Sequence, residues 1–194
     1  MKIIGGTWKG ISLQCPPEAL SRPTQERVKK SLFDILGERV KGSGVLDLFA
    51  GSGSLGIEAL SRGAEESLFV EWNPVCIGLL KENLKRVRAE KDSCLEGNAL
   101  KVIGKLFRDK RRFDIIFVDP PYSEGVTTKC LHSLGKYDIL SPAAILVIRH
   151  GKEDSLPFKD GILERNRQER YGQTVLSFYR KGLDHAASGL PGQF

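Results

Sequence analysis

The sequence predicts an α/β protein with a doubly wound, mostly parallel sheet. Short apolar runs alternate with helix-like patterns over about 100 residues, which is typical of repeated βαβ units. One apolar run leads directly into the glycine-rich segment GSGSLG, and another, IIFV, is stopped by DPP. The 194 residues suit one domain with a small appendage, and a content of 40% hydrophobic and 28% charged residues is ordinary for a globular protein.

Residues 1–41 are predicted to form a basic N-terminal extension. Residues 3–14 would form two short strands in a small hairpin, and residues 24–36 a helix. The apolar side chains of this helix would share one face: Val28, Leu32, Ile35 and Leu36. The extension holds eight basic and four acidic residues, so it carries +4 of the net charge of +6. Such an excess favours a polyanionic partner, most often nucleic acid, and a merely soluble basic surface is the alternative.

Strands and helices then alternate through residues 42–182, the predicted main domain. The predicted strands cover 45–50, 67–72, 94–98, 113–119 and 143–150. The predicted helices cover 73–88, 99–107 and 125–134, and residues 51–62 are predicted to be a loop that enters a further helix. Residues 162–181 are predicted to close the sheet as an antiparallel pair, with a turn at Gly172 and Gln173. The last residues, 183–194, are rich in Gly, Ala and Ser and are predicted to be a disordered tail.

The segment FAGSGSLG places three glycines in the order G-x-G-x-x-G between a strand and a helix. Gly51 would allow a tight turn, Gly53 a close approach of the backbone to a ligand, and Gly56 the packing of the helix on the sheet. Glu71 ends the next strand, 20 residues after Gly51, where its carboxylate could accept hydrogen bonds from both ribose hydroxyls. The pattern predicts a nucleoside-bearing cofactor, with a purely structural turn as the alternative, and does not separate NAD from other such cofactors.

Further residues beside the same strand ends are predicted to contact this cofactor. Asp47, an acid inside an apolar strand, is costly to bury without a partner, which suits a cationic amino group on the cofactor. Trp72 would pack on the purine or, as the alternative, lie in the core. Asn98 and Ala99 follow the third strand and would contact the purine edge. The remaining predicted cofactor contacts are Asp119 and three loop residues: Phe49, Ala50 and Ser52.

The segment Asp119-Pro120-Pro121-Tyr122 is predicted to hold the catalytic residues. Neither proline can donate a backbone N–H, so the buried strand must end there. Asp119 and the carbonyl of Pro120 could accept both hydrogens of an exocyclic amine, which favours a pyramidal nitrogen with its lone pair turned outward. Tyr122 offers a flat face for stacking on an extruded base, worth about 1–3 kcal/mol. This motif is the signature of amino-methyltransferases that use S-adenosylmethionine, and a proline-stopped strand with a core tyrosine is the alternative.

These motifs, in this order and spacing, resemble those of the RsmD-type 16S rRNA (guanine-N2) methyltransferases. The resemblance covers about residues 2–181 and includes IIGGTWKG (3–10), SRPTQERVKKSLFDIL (21–36), LDLFAGSGSLGIEALSRGA (46–64) and GQTVLSFYRK (172–181). It implies a class I S-adenosylmethionine-dependent methyltransferase fold, with a Rossmann-like seven-stranded sheet whose last strand is antiparallel. Residues 42–182 would then be the methyltransferase domain, and residues 1–41 an RNA-recognition extension.

The resemblance also implies the reaction and the partners. The methyl donor would be S-adenosylmethionine, and the acceptor the N2 amine of a guanine in 16S rRNA, nucleotide 966 in the usual numbering. The substrate would be the small ribosomal subunit or its assembly intermediate, and a monomer is expected. The candidate RNA contacts are Arg22, Lys29 and Lys30, with solvated surface charge as the alternative.

Composition argues against membrane, secreted and metal-binding proteins. No apolar stretch approaches the roughly 18 residues of a membrane helix, and the N-terminus lacks a signal-peptide pattern. The four cysteines and three histidines show no metal or disulfide spacing, so no metal is expected and a reducing cytoplasm fits. The open alternatives are methyl transfer to adenine or cytosine in DNA or RNA or to a protein glutamine, an NAD-dependent oxidoreductase, and a non-catalytic RNA-binding protein.

Overall fold

The computed structural model describes residues 1–16, 23–89, 94–121 and 125–182, so the tail predicted at 183–194 lies outside it. The helices are α1 (Pro23–Leu36), α2 (Ser54–Ser61), α3 (Pro74–Arg86), α4 (Ala99–Arg108) and α5 (Val126–Lys136), with a 3-10 turn at Gly37–Val40. The strands are β1 (Gly44–Asp47), β2 (Glu66–Glu71), β3 (Cys94–Glu96), β4 (Phe113–Val118), β5 (Leu140–Gly151), β6 (Lys159–Asp160), β7 (Leu163–Tyr171) and β8 (Thr174–Lys181). Within these ranges, no helix is both long and apolar enough to cross a membrane.

All eight of these strands belong to one sheet, in the order β3-β2-β1-β4-β5-β8-β7-β6. The pairs among β1 to β5 are parallel, whereas β8, β7 and β6 are added in antiparallel pairs. Chain order reverses between β1 and β4, which is where a doubly wound sheet opens a crevice beyond the carboxyl ends of its strands. The predicted fold class is confirmed, and the sheet differs from the seven predicted strands by the two-residue edge strand β6.

Helices cover both faces of the sheet, which explains the continuous apolar runs of its central strands. On one face α1 packs against β1, β4, β5 and β8, and α2 and α3 continue this layer towards β2. On the other face α4 and α5 pack against the central strands. The helix predicted over residues 24–36 begins one residue earlier, and it buries the side that the sequence makes apolar: Val28, Leu32, Phe33 and Leu36.

The N-terminal segment, residues 1–14, docks against the end of α2. An isolated bridge between Lys2 and Ser12 stands where the sequence predicts two short strands. Gly6 has a φ of +74°, and a Cβ at this position would lie 1.7 Å from the carbonyl oxygen of Ser61. That carbonyl also accepts the N–H of Thr7 at 2.7 Å. A glycine is therefore required for the segment to dock here.

The predicted boundary after residue 41 does not separate two hydrophobic cores. Ile3 and Leu13 are buried in a cluster with residues of α2, α3 and β2. The apolar side of α1 belongs to a second cluster with the central strands. Residues 1–41 are thus built into the main domain, and their role in RNA recognition stays a prediction.

Candidate active site

A cleft of about 340 Å³ lies at the carboxyl ends of β2 and β4, against α1 and the loop after β1. Its volume falls in the range of roughly 300–1,000 Å³ that small-molecule sites occupy. Eight of the predicted catalytic and cofactor-binding residues line it: Phe49, Ala50, Gly51, Ser52, Glu71, Trp72, Asp119 and Pro121. The glycine loop and the DPP segment, which are about 70 residues apart in the chain, therefore meet at one site.

The three glycines of the loop have different surroundings. Gly51 has a φ of +54°, and a Cβ there would project into open space. Gly53 has a φ of +90°, but its Cβ would lie 2.5 Å from the side chain of Leu80. The close backbone approach predicted for Gly53 is therefore better assigned to Gly51, because Gly53 lies against α3 and does not line the cleft. Gly56 packs α2 on β2, as predicted, since a Cβ would lie 2.3 Å from the ring of Phe69.

Glu71 connects the end of β2 to the glycine loop. Its Oε2 accepts the N–H of Gly51 at 2.8 Å, and its Oε1 accepts those of Trp72 and Asn73 at 2.8 and 2.9 Å. The carboxylate lines the cleft while it fixes the loop. Oε1 accepts two N–H groups, whereas Oε2 accepts one and keeps a second lone pair for a ribose hydroxyl. The adjacent Trp72 side chain is 65% exposed, which excludes the core position that the sequence left open.

Asp47 is buried at the end of β1, beneath the loop. Its Oδ2 accepts the N–H of Gly56 at 3.0 Å, whereas its Oδ1 has no hydrogen-bond partner among the described residues. Burial raises the pKa of Asp47 to about 7. A buried acceptor without a partner is unusual in folded proteins and suits a site that a polar or cationic ligand group completes.

Asn98 and Ala99 do not line the cleft. The Asn98 side chain caps α4, and its Oδ1 accepts the N–H groups of Leu100 and Lys101 at 3.0 and 3.4 Å. Ala99 is buried at the first turn of the same helix. The structure therefore gives the Asn98 oxygen a helix-capping role, and the predicted purine contact stays a prediction.

Asp119 is paired with Arg149, a residue that the predicted site omits. Arg149 Nε lies 2.7 Å from Asp119 Oδ1, and both residues line the cleft. Burial raises the pKa of Asp119, and the guanidinium opposes that rise. Because Val118 pairs with Ile148 in the parallel register of β4 and β5, the next residue on each strand lies beside the other. An arginine directly after the apolar run ILVI is the sequence signal for this pair.

The prolines that follow Asp119 differ in exposure. Pro120 is buried, and Pro121 is exposed and lines the cleft. Tyr122 lies outside the described residues, so its predicted stacking on a base stays a prediction. Within the described ranges, no group of three or more His, Cys, Asp and Glu residues is placed to hold a metal ion.

Lys29 is not the surface residue that an RNA contact requires. Its side chain is 5% exposed, and its Nζ lies 3.3 Å from Glu58 Oε2. The same ammonium donates to the backbone oxygen of Lys2 at 2.8 Å and to Ser54 Oγ at 3.3 Å. The predicted phosphate contact of Lys29 is therefore wrong, because the ammonium joins α1, α2 and the N-terminal segment.

The other two candidate RNA contacts, Lys30 and Arg22, stay predictions. Lys30 is 69% exposed and forms an ion pair with Asp34 at 2.7 Å, one turn along α1. An exposed pair of this kind is weak and leaves the ammonium accessible to a phosphate. Arg22 lies outside the described residues.

The fold and this site define a class I methyltransferase: a doubly wound sheet with a glycine loop, an acid after β2 and DPP after β4 at one edge. A family model described as "Conserved hypothetical protein 95" matches residues 1–180. The chain belongs to this family, the RsmD-type methyltransferases.

Individual relatives agree with this assignment. "Putative rRNA methyltransferase YlbH" of Bacillus subtilis is 38% identical over 182 residues, which cover 93% of this chain and 99% of that protein. "Ribosomal RNA small subunit methyltransferase D" of Escherichia coli is 30% identical over 181 residues, which cover 93% and 90%. Among solved structures, "Putative methyltransferase yhhF from Escherichia coli" matches with a TM-score of 0.82 and 31% identity, over 93% of this chain and 97% of that chain.

Proposed function

We propose that this protein transfers a methyl group from S-adenosylmethionine to the N2 amine of a guanine in 16S rRNA of the small ribosomal subunit, at nucleotide 966. The observation that carries the proposal is that Asp119, the glycine loop and Glu71 line a single cleft. The names of the relatives support rRNA as the substrate, and the resemblance of the N-terminal and glycine-loop segments supports the guanine.

The residues of the cleft fit S-adenosylmethionine as the donor. Gly51 leaves open space beside the backbone, and Glu71 offers a carboxylate to a ribose. The exposed ring of Trp72 would cover one side of a purine. Asp47 Oδ1, which is buried without a partner in the described structure, would stabilise a cationic amino group. When bound, the cofactor supplies a methyl group activated by a positively charged sulfur.

The chain's own residues would act on the target amine. The lone pair of an exocyclic nitrogen is delocalised into the ring, so the free amine is a poor nucleophile. Asp119 would accept one amine hydrogen, and the carbonyl of Pro120 the other, which favours a pyramidal nitrogen with its lone pair directed outward. Holding the two reactants in line can lower the barrier by about 7–11 kcal/mol. As the N–C bond forms, the bond between the methyl group and the cofactor sulfur would break, and the amine proton would then be lost to water, so a strong base is not needed.

The product of the reaction tests the proposal most directly. Small subunits that lack the modification would be incubated with the protein and S-adenosylmethionine, and the nucleosides analysed by mass spectrometry. We expect N2-methylguanosine, and methyladenosine or methylcytidine as the product would overturn the guanine assignment. Calorimetry with S-adenosylmethionine and NAD tests the cofactor, because binding of NAD alone would contradict the proposal.

Asp119→Ala tests the role of the carboxylate. We expect the variant to bind the cofactor with wild-type affinity and to lose about 10²–10³-fold in single-turnover transfer, the cost of removing one preorganised electrostatic group. The exposed acid Asp109 provides the control, since it lies at the end of α4 and does not line the cleft. Full activity of Asp119→Ala would refute the amine-positioning role.

A further inference from the structure

We propose that Arg149 is a positioning residue for methyl transfer, because it fixes one oxygen of the Asp119 carboxylate and leaves the other for the target amine. This inference rests on the proposed function, which gives Asp119 the amine-accepting role. Arg149 lies on β5, outside both motifs that identify the cleft from sequence. Its position depends on the pairing of β5 with β4.

The contact has a defined geometry. Arg149 Nε lies 2.7 Å from Asp119 Oδ1, a distance typical of a charge-assisted hydrogen bond. Among the described residues the pair engages Oδ1, so we assign Oδ2 to the amine hydrogen. Both side chains are mostly buried, at 26% and 19% exposure, yet both line the cleft. A carboxylate held in this way would enter the reaction with its direction already set.

The Asp119–Arg149 pair packs against apolar side chains on the α1 face of the sheet. A second, small cavity of about 20 Å³ adjoins Asp119 and Arg149 on the α1 face of the sheet. Apart from Lys29, its other walls are apolar: Val28, Leu32, Leu55, Phe117, Val118, Val147 and Leu176. In such surroundings an unpaired carboxylate is costly and a close ion pair is strong. The surroundings therefore make Asp119 depend on its cation.

Other ionisable groups lie around the cleft, but among the described residues Arg149 is the one that pairs with Asp119. They come from the elements around the cleft: Glu26 and Lys29 of α1, Asp47 of β1 and Glu71 of β2. Three of them are acids, which favour protonation of a neighbouring carboxyl group. The ammonium of Lys29 already contacts Glu58 and the N-terminal segment. Arg149 is thus the group placed to keep Asp119 ionised and able to accept a hydrogen bond.

Two substitutions separate the charge of Arg149 from its shape. Arg149→Gln removes the charge, and Arg149→Lys keeps it without the planar guanidinium. Arg111→Gln is the matched control, because Arg111 forms a 2.9 Å ion pair with Glu66 on an exposed part of the sheet. Single-turnover transfer would be measured against pH with saturating cofactor and RNA, and thermal unfolding would show that each variant is folded.

We expect Arg149→Gln to lose about tenfold or more on the acidic limb of its rate profile, where one pKa unit changes the ionised population by that factor. The acidic limb of its rate profile should move to higher pH by about 1–3 units, because an opposite charge at this distance lowers a carboxyl pKa by that amount. Arg149→Lys should restore part of the transfer rate and part of the position of the acidic limb. Arg111→Gln should match the wild type in both quantities. A purely structural role would lower the rate without moving the limb.

A titration without substrate separates this inference from the proposed function. Carbon-13 NMR of labelled aspartate reports the pKa of Asp119 directly, with its signal assigned by its loss in Asp119→Asn. We expect the pKa to rise in Arg149→Gln. An unchanged titration and an unchanged acidic limb would overturn the inference. A wild-type protein that transfers no methyl group would overturn the proposed function, while the titration would still decide whether Arg149 controls Asp119.

Discussion

Asp47 is a carboxyl group that the fold buries at the end of a central strand. One oxygen is held by the N–H of Gly56, and the other has no partner among the described residues. Burial raises its pKa to about 7, and the nearby carboxylates of Asp119 and Glu71 add to the rise. In the folded protein the group therefore keeps its proton over a pH range in which the unfolded chain has lost it.

This difference predicts how stability depends on pH. Between the ordinary pKa of 3.8 and about 7, the folded state holds a proton that the unfolded state releases, so stability falls as pH rises through this window. The full effect is at most about 4 kcal/mol. Asp47→Asn carries no titrating group and should show a flatter dependence in urea denaturation at pH 5, 6, 7 and 8. The exposed Asp109→Asn is the control, and parallel curves for wild type and Asp47→Asn would contradict the prediction.

Single residues could be predicted where a motif fixes their place. Gly51, Glu71 and Asp119 lie beside the cleft because each is at or shortly after the end of a strand, and parallel strands end at one edge. Lys29 and Arg149 could not be placed in this way. The burial of Lys29 follows from the docking of α1 on α2, and the pairing of Arg149 follows from the register of β5 on β4. Both depend on contacts between segments that are distant in the chain.

At the scale of the elements, α2 approaches β2 closely because Gly56 has no side chain. A Cβ on Gly56 would lie 2.3 Å from the Phe69 ring, which is closer than atoms in contact can come. This packing also brings the N–H of Gly56 to within 3.0 Å of Asp47. Gly56 thus fixes the position of α2, the helix that follows the glycine loop.

Two glycine-to-alanine substitutions in helices should have opposite effects. Gly56→Ala should destabilise the protein by about 1–3 kcal/mol, the usual cost of an overpacked core. Gly78→Ala in α3 should stabilise it by about 0.5–1 kcal/mol, because its Cβ would meet open space and alanine is the better helix former. Urea denaturation of both variants provides the test. Equal stabilisation by the two substitutions would show that α2 can move away from β2 at little cost.

The types of the elements could be predicted better than their ends. The predicted fifth strand begins at residue 143, after Pro142, because proline cannot donate to a sheet. In the structure β5 already begins at Leu140, and its register with β4 is irregular between Phe113 and Ile115. This irregularity lets the strand start before the proline, and no local pattern indicates it. Residues 3–14 likewise form an isolated bridge in place of the two predicted strands. A contact with a distant residue again decides the outcome, because this segment docks on Ser61.

At the scale of the whole molecule, the N-terminal segment and the methyltransferase domain share a hydrophobic cluster, so we expect them to unfold as one cooperative unit. Ile3 is 1% exposed and is buried in a cluster with residues of α2 and α3. Glu58 of α2 accepts the N–H of Ile4 at 2.9 Å and pairs with both Lys29 and Arg62. Met1 and Pro16 also line the cleft. Removing this segment would therefore damage the cofactor site as well as any RNA contact.

Cooperativity of this kind can be tested with the two tryptophans. In Trp72→Phe, which changes an exposed side chain, Trp8 is the remaining tryptophan and its fluorescence reports the N-terminal segment. We expect its unfolding transition in urea to coincide with the loss of helical circular dichroism. Ile3→Ala in this background should lower both midpoints together, with a loss of about 2–5 kcal/mol. A Trp8 transition at lower urea than the helical signal would show that the N-terminal segment unfolds separately, as an independent RNA-recognition module would.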